Sequence, residues 1–137
     1  MDAETRITRA SLVRCEFQNG TVFDRFYERF LEASELVPPY FASTDFAKQR
    51  EVLRNGILMT ILYAEGDRVG QVGVDWIRQT HSRAALDVKP DLYPLWLDTW
   101  IETVEEFDPD FDDDTAAAWR KVIQHSIAHI TDGYARG

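Results

Sequence analysis

The 137-residue chain has a single cysteine, Cys15, which rules out an internal disulfide and a cysteine-based zinc cluster. Cations are scarce: 15 Lys and Arg stand against 24 Asp and Glu, a net charge of −9. That balance disfavours holding nucleic acid by phosphate neutralisation and sitting on anionic lipid. No apolar run approaches the roughly 20 residues of a membrane span. No segment alternates with the period of two that a half-buried strand needs, so no strand is expected. The N-terminus, MDAETRITRAS, mixes both charge signs without an apolar stretch and predicts no signal peptide. Repeats and low-complexity linkers are also missing. The expectation is a soluble, cytoplasmic protein with one domain over residues 1–137. Against these absences, 45% of residues are hydrophobic and 12% aromatic, which excludes intrinsic disorder. Four Trp, five Tyr and eight Phe are either core filler or the lining of a flat ligand pocket. Composition leaves both open.

Apolar spacing is helical along nearly the whole chain. Phe23, Phe26, Tyr27, Phe30 and Leu31 form one helix face, and Asn19-Gly20 before them is a turn ending an earlier helix over about Thr5–Gln18. Pro38-Pro39 limits the next segment to a short helical turn. A longer helix starts at a cap near Thr44 or Asp45 and reaches about Tyr63, with Phe46, Gln49, Leu53, Ile57, Thr60 and Ile61 inward. A weaker one covers about Val72–Thr80, aligning Val74, Ile77 and His81. Pro90 suits the first turn of a helix to about Phe107, with Leu92, Trp96, Thr99, Trp100 and Thr103 inward. The last helix carries Trp119, Val122, Ile123, Ser126, Ile127, Ile130 and Tyr134 on one face. The spacing predicts an all-α domain of six to eight helices.

Most candidate chemistry fails on inspection. The acidic run Asp108–Asp114 is not an EF-hand loop, because the sixth and twelfth positions hold Asp113 and Trp119 where Gly and Glu are needed. It reads as a solvated loop that caps the final helix. His125 and His129 have the i, i+4 spacing of a metal pair but lie off the apolar stripe, at the surface or its edge. Cys15 reads as a partly buried, inert thiol. No nucleophile elbow is present, and Gly66, Gly70 and Gly73 match no phosphate cradle. Three polar residues remain on apolar faces: Gln49, Tyr27 and His81. A buried amide or imidazole costs about 1–3 kcal/mol unless it finds a partner. Three on three helices point to a shared polar feature in the core, such as a buried ligand with an apolar rim and a reactive centre.

These residues carry a resemblance. From about Phe23 to Tyr134 the chain is similar to the globins, specifically the single-domain bacterial haemoglobins. The ordered signals are Phe26-Tyr27, Pro39-Tyr-Phe41, Gln49 with Leu53, His81-Ser-Arg-Ala-Ala-Leu86, and Pro90-Asp-Leu-Tyr93. The resemblance implies a globin fold and haem b, with His81 as the iron ligand and Tyr27 and Gln49 facing the bound gas. Phe41, Leu53, Ile77, Leu86, Val88, Tyr93 and Trp96 would form the cofactor's walls, with Arg83 or Arg50 as alternatives for its propionates. The segment from His81 to Tyr93 is about two residues longer than in such relatives. Where some relatives place an acidic residue beside the proximal histidine, Tyr134 stands instead. The implied function is reversible binding of O2, with CO and NO, for oxygen transport or gas sensing, by a monomer or homodimer without catalytic residues. The competing readings are a haem-free globin-like regulatory module and an NO dioxygenase-type enzyme served by a separate reductase.

Overall fold

The computed structural model describes residues 1–17 and 21–136. Six α-helices follow one another: α1 (Asp2–Glu16), α2 (Val22–Ala33), α3 (Phe46–Ala64), α4 (Arg68–Thr80), α5 (Leu92–Phe107) and α6 (Asp113–Asp132). Short 3-10 turns cover Pro38–Phe41 and Tyr134–Arg136. There is no strand among the described residues, so the all-α expectation holds. The Asn19-Gly20 turn lies outside them.

Local chemistry accounts for most boundaries. Asp45 caps α3 by accepting from the Ala47 amide at 3.0 Å, and Pro38 and Pro39 open the 3-10 turn. Two starts differ from the expectation. Helix α1 begins at Asp2 rather than near Thr5, with Asp2 and Glu4 in its first turn, where the helix dipole favours negative charge. Helix α4 begins at Arg68 rather than Val72, because Asp67 caps it through the Val69 amide at 2.8 Å. Gly70 and Gly73 weaken the helical pattern there but serve the packing of α4 on α3. A Cβ on Gly70 would stand 2.2 Å from the Tyr63 nitrogen, so only glycine lets the two backbones cross so closely. Pro90 precedes the first turn of α5, which starts at Leu92.

The core centres on fully buried Trp100, Trp119 and Phe26, with Ile57, Ile61, Val104 and Ile123 around them. Phe26 meets Trp100, Trp96, Tyr27 and Phe30 at centroid distances of 5.2–6.1 Å, the range of favourable edge and offset contacts.

The acidic run behaves in two ways. Asp112 caps α6 as expected, accepting from the Thr115 amide and hydroxyl at 2.8 and 2.7 Å. Asp108 corrects the solvated-loop expectation: its side chain is fully buried and held by Arg14 Nε at 2.6 Å and Ser11 Oγ at 2.7 Å. Ser11 Oγ in turn accepts from Trp119 Nε1 at 2.9 Å, which ties α1 to the segments on either side of α6's start. Cys15 is fully buried, and its desolvated thiol is pushed up to about 12, beyond the partial burial expected. His125 is exposed and stacks on Tyr63, while half-buried His129 pairs with Asp75 at 2.6 Å.

Candidate functional site

A cavity of about 300 Å³ opens between α2, the Pro38–Phe41 turn, α3, the end of α4, the following loop, α5 and α6. All ten residues singled out from the sequence line it: Tyr27, Phe41, Gln49, Leu53, Ile77, His81, Leu86, Val88, Tyr93 and Trp96. Helical spacing explains why they converge. Gln49, Leu53, Ile57 and Thr60 follow each other by three or four positions on α3 and so share its inner face. Ile77 lies one turn before His81, which caps the C-terminus of α4.

Two polar pairs face this largely apolar space. In the first, Gln49 Nε2 donates to Tyr27 Oη at 2.9 Å. Burial pushes the Tyr27 phenol up to about 12, outweighing the Gln49 hydrogen bond, so it keeps its proton at neutral pH. Because the phenol oxygen is already an acceptor for Gln49, its own O–H is left to donate elsewhere. In the second, His81 Nδ1 lies 2.9 Å from Tyr93 Oη. Burial lowers the imidazole's proton affinity and keeps it neutral. Burial likewise raises Tyr93, with a smaller contribution from nearby Tyr40, so this phenol also stays protonated. Such an arrangement can hold a neutral imidazole with Nδ1–H donated to the phenol and the Nε2 lone pair free to bind a metal.

Other lining residues were not singled out as site residues. Ser126, Ile123, Ile127 and Ile130 belong to the inward stripe of α6, a signal that reads as core whether or not a cavity adjoins it. The Ser126 hydroxyl is fully buried, lines the cavity and has no hydrogen-bond partner among the described residues. Tyr40 and Val52 also line the space, at 37% and 60% exposure, and mark its rim together with Leu86 at 62%.

Two residues weighed beside the site act elsewhere. Tyr134 does not reach His81: its hydroxyl donates to Asp87 Oδ1 at 2.5 Å, and the histidine's partner is Tyr93. Arg50 is paired with Asp24 at 3.3 Å. The long segment after His81 folds back on itself, with Leu86 N bonded to Thr80 O at 3.0 Å and Val88 N to His81 O at 3.1 Å.

The donor set and cavity fit haem. A single neutral imidazole in an apolar slot, with hydrogen-bond donors elsewhere on its wall, can ligate iron while sheltering the macrocycle from water. The buried, unpartnered Ser126 hydroxyl also indicates space that a bound group would share.

Among solved structures, the chain is similar to a Pseudomonas aeruginosa PAO1 protein described as structurally highly homologous to a human haemoglobin. The two agree with a TM-score of 0.90 and 38% sequence identity over 96% of this chain and 98% of that one. No family model matches the chain, and no curated protein does.

Proposed function

The chain belongs to the globin family, and from that premise we propose that it is a haem b protein that reversibly binds O2, as well as CO and NO, through an iron held by His81. The observation carrying this reading is the convergence of the Tyr27–Gln49 and Tyr93–His81 pairs on one apolar cavity. Haem would supply the iron centre that takes a diatomic gas.

The chain's own residues would do the rest. His81 offers Nε2, while Tyr93 accepts from Nδ1–H and holds the ring's tautomer and orientation. Phe41, Leu53, Ile77, Leu86, Val88 and Trp96 would give the macrocycle apolar walls and exclude water. Gln49 orients Tyr27, whose O–H would donate to a gas that carries partial negative charge. Such a hydrogen bond in a low-dielectric cavity is worth about 1–3 kcal/mol and slows ligand loss. A neutral phenol beside His81 makes the imidazole a weaker electron donor than a carboxylate would, which favours reversible binding over oxygen activation.

The test is reconstitution with haemin followed by reduction under CO. A Soret band in the parent protein that is lost in His81→Ala supports the reading. Its absence from the reconstituted parent overturns it.

A further inference from the structure

Asp87 joins three segments that lie far apart in the chain, and its neighbours Leu86 and Val88 line the cavity. Its backbone carbonyl accepts from Tyr40 Oη at 2.8 Å, on the turn that follows α2. Its carboxylate accepts from Tyr134 Oη at 2.5 Å and from Lys89 Nζ at 3.0 Å. Tyr134 is held in place in turn, because its carbonyl accepts from the Arg83 amide at 2.9 Å. The residue itself sits at φ +53°, the one non-glycine in the left-handed region among the described residues. Asp and Asn are among the few side chains that occupy this region at modest cost. Holding it there bends the segment between His81 and Tyr93 back toward Ser82, whose carbonyl accepts from the Asp87 amide at 2.9 Å.

Both sides of the Tyr40 hydrogen bond belong to the cavity wall. Tyr40 lines it from one side, and Leu86 and Val88, which flank Asp87, line it from the other. The bond therefore bridges the opening. Val88 also donates its amide to the His81 carbonyl at 3.1 Å, so the same segment braces the backbone of the candidate iron ligand. The hydrogen bond from Tyr134, followed by the Lys89 contacts, holds the Asp87 carboxyl below the usual carboxylate range, so it is ionised at neutral pH.

Resting on the haem reading above, we propose that Asp87 is a positioning residue that retains the cofactor, acting as a latch between Tyr40 on one rim of the cavity and Tyr134 on the chain's last turn. Cofactor escape requires the loop carrying Leu86 and Val88 to swing away from Tyr40. The hydrogen bonds from Tyr40 and Tyr134 oppose that opening, while the Lys89 contact stays within the loop. Both join the loop to 3-10 turns rather than helix to helix, so the latch governs haem loss more than the stability of the cofactor-free fold.

The experiment is transfer of haem from the ferric protein to an excess of apomyoglobin, paired with thermal melting of each cofactor-free form. Asp87→Asn keeps a side chain that tolerates the left-handed backbone while replacing the charged acceptor of Tyr134 and Lys89 with a weaker neutral one. Tyr40→Phe and Tyr134→Phe remove one hydroxyl each. The expected result is haem loss about two- to tenfold faster in each variant, with the cofactor-free melting midpoint moved by no more than about 2 °C. Parent-like haem loss in both Asp87→Asn and Tyr40→Phe overturns the latch. Faster loss that simply tracks a lowered cofactor-free melting point also overturns it, because the residues would then be structural. A parent protein that takes up no haem at all overturns the underlying reading instead, and with it the latch.

Discussion

Gln49 Nε2 donates to Tyr27 Oη at 2.9 Å, so the two polar groups on this part of the cavity wall are ordered rather than equivalent. Sequence spacing offers both as donors to a ligand. The geometry makes Gln49 the orienting partner and Tyr27 the group with a proton free for the cavity.

The variants Tyr27→Phe and Gln49→Leu should therefore differ. Tyr27→Phe removes the donor while keeping the ring among Phe26, Phe41 and Phe46, so haem binding should survive. Its O2 dissociation rate should rise by about 10- to 100-fold, the equivalent of roughly 1–3 kcal/mol. Gln49→Leu should raise the rate less, because the phenol keeps its proton but loses its orientation. Stopped-flow displacement of O2 by CO measures both. The assignment of roles is reversed if Gln49→Leu has the larger effect.

A parallel relationship on the other polar pair leads to a spectroscopic expectation. Tyr93 is the only hydrogen-bond partner of the His81 ring among the described residues. Tyr93→Phe should leave the protein folded at a cost of about 1 kcal/mol for the lost hydrogen bond. In the reduced haem form, Nδ1–H without an acceptor makes the imidazole a poorer donor. The iron–histidine stretching band should then move to lower frequency. An unmoved resonance Raman band would show that the phenol does not influence the ligand.

How far the sequence already contained this site depends on the kind of residue. Tyr27, Gln49 and His81 stood out because each interrupts an apolar stripe of period 3.6, a signal that local geometry alone preserves. Leu53, Ile77 and Trp96 lie on such stripes, and Tyr93 follows from the resemblance. The His81–Tyr93 hydrogen bond joins residues across an irregular loop, which periodicity does not reach. Asp87 was invisible for the same reason, since nothing in the order of residues marks an aspartate for the left-handed region. Asp108 departs from the solvated reading because charge density suggests solvent, whereas Arg14 and Ser11, which hold it, come from α1. The start of α4 at Arg68, ahead of the expected Val72, brings in Gly70, whose role depends on the backbone of α3 packed against it.

That closeness makes Gly70 a sensitive position. A methyl group there would fall 2.2 Å from the Tyr63 nitrogen and 2.7 Å from the Leu62 Cβ, and backbone cannot move aside as a side chain can. Gly70→Ala should gain slightly in helix propensity, by less than about 1 kcal/mol. It should lose more through forced separation of α4 from α3, for a net destabilisation of about 2–3 kcal/mol. Gly66→Ala is the useful contrast: nothing approaches its Cβ position, and its cost comes only from a φ of +80°. Urea unfolding of the two variants separates crowding from backbone strain. A Gly70→Ala variant as stable as the parent would mean that the close helix crossing carries no energetic weight.

The buried Asp108 network sets the response to acid. Burial alone would raise the Asp108 carboxyl, but hydrogen bonds from Arg14, Ser11 and the Asp110 amide outweigh it and leave the group below its ordinary value. In the unfolded chain the same carboxyl titrates near about 3.9. Its folded value is depressed, so its contribution is complete above the unfolded value and is lost as pH falls through the folded one. The parent should therefore lose stability steeply below about pH 4, and Asp108→Asn should lack that part of the slope. At neutral pH, Asp108→Ala should cost about 2–3 kcal/mol, because Ser11 loses its acceptor and Arg14 its buried partner. Arg14 keeps 28% of its side chain in solvent, which limits the penalty for its stranded charge. Ser11 bridges Asp108 to Trp119, so Ser11→Ala and Asp108→Ala should be non-additive, with the double variant less damaged than the sum. Additive losses in urea unfolding would show that the hydroxyl and the carboxylate act independently across the α1–α6 contact.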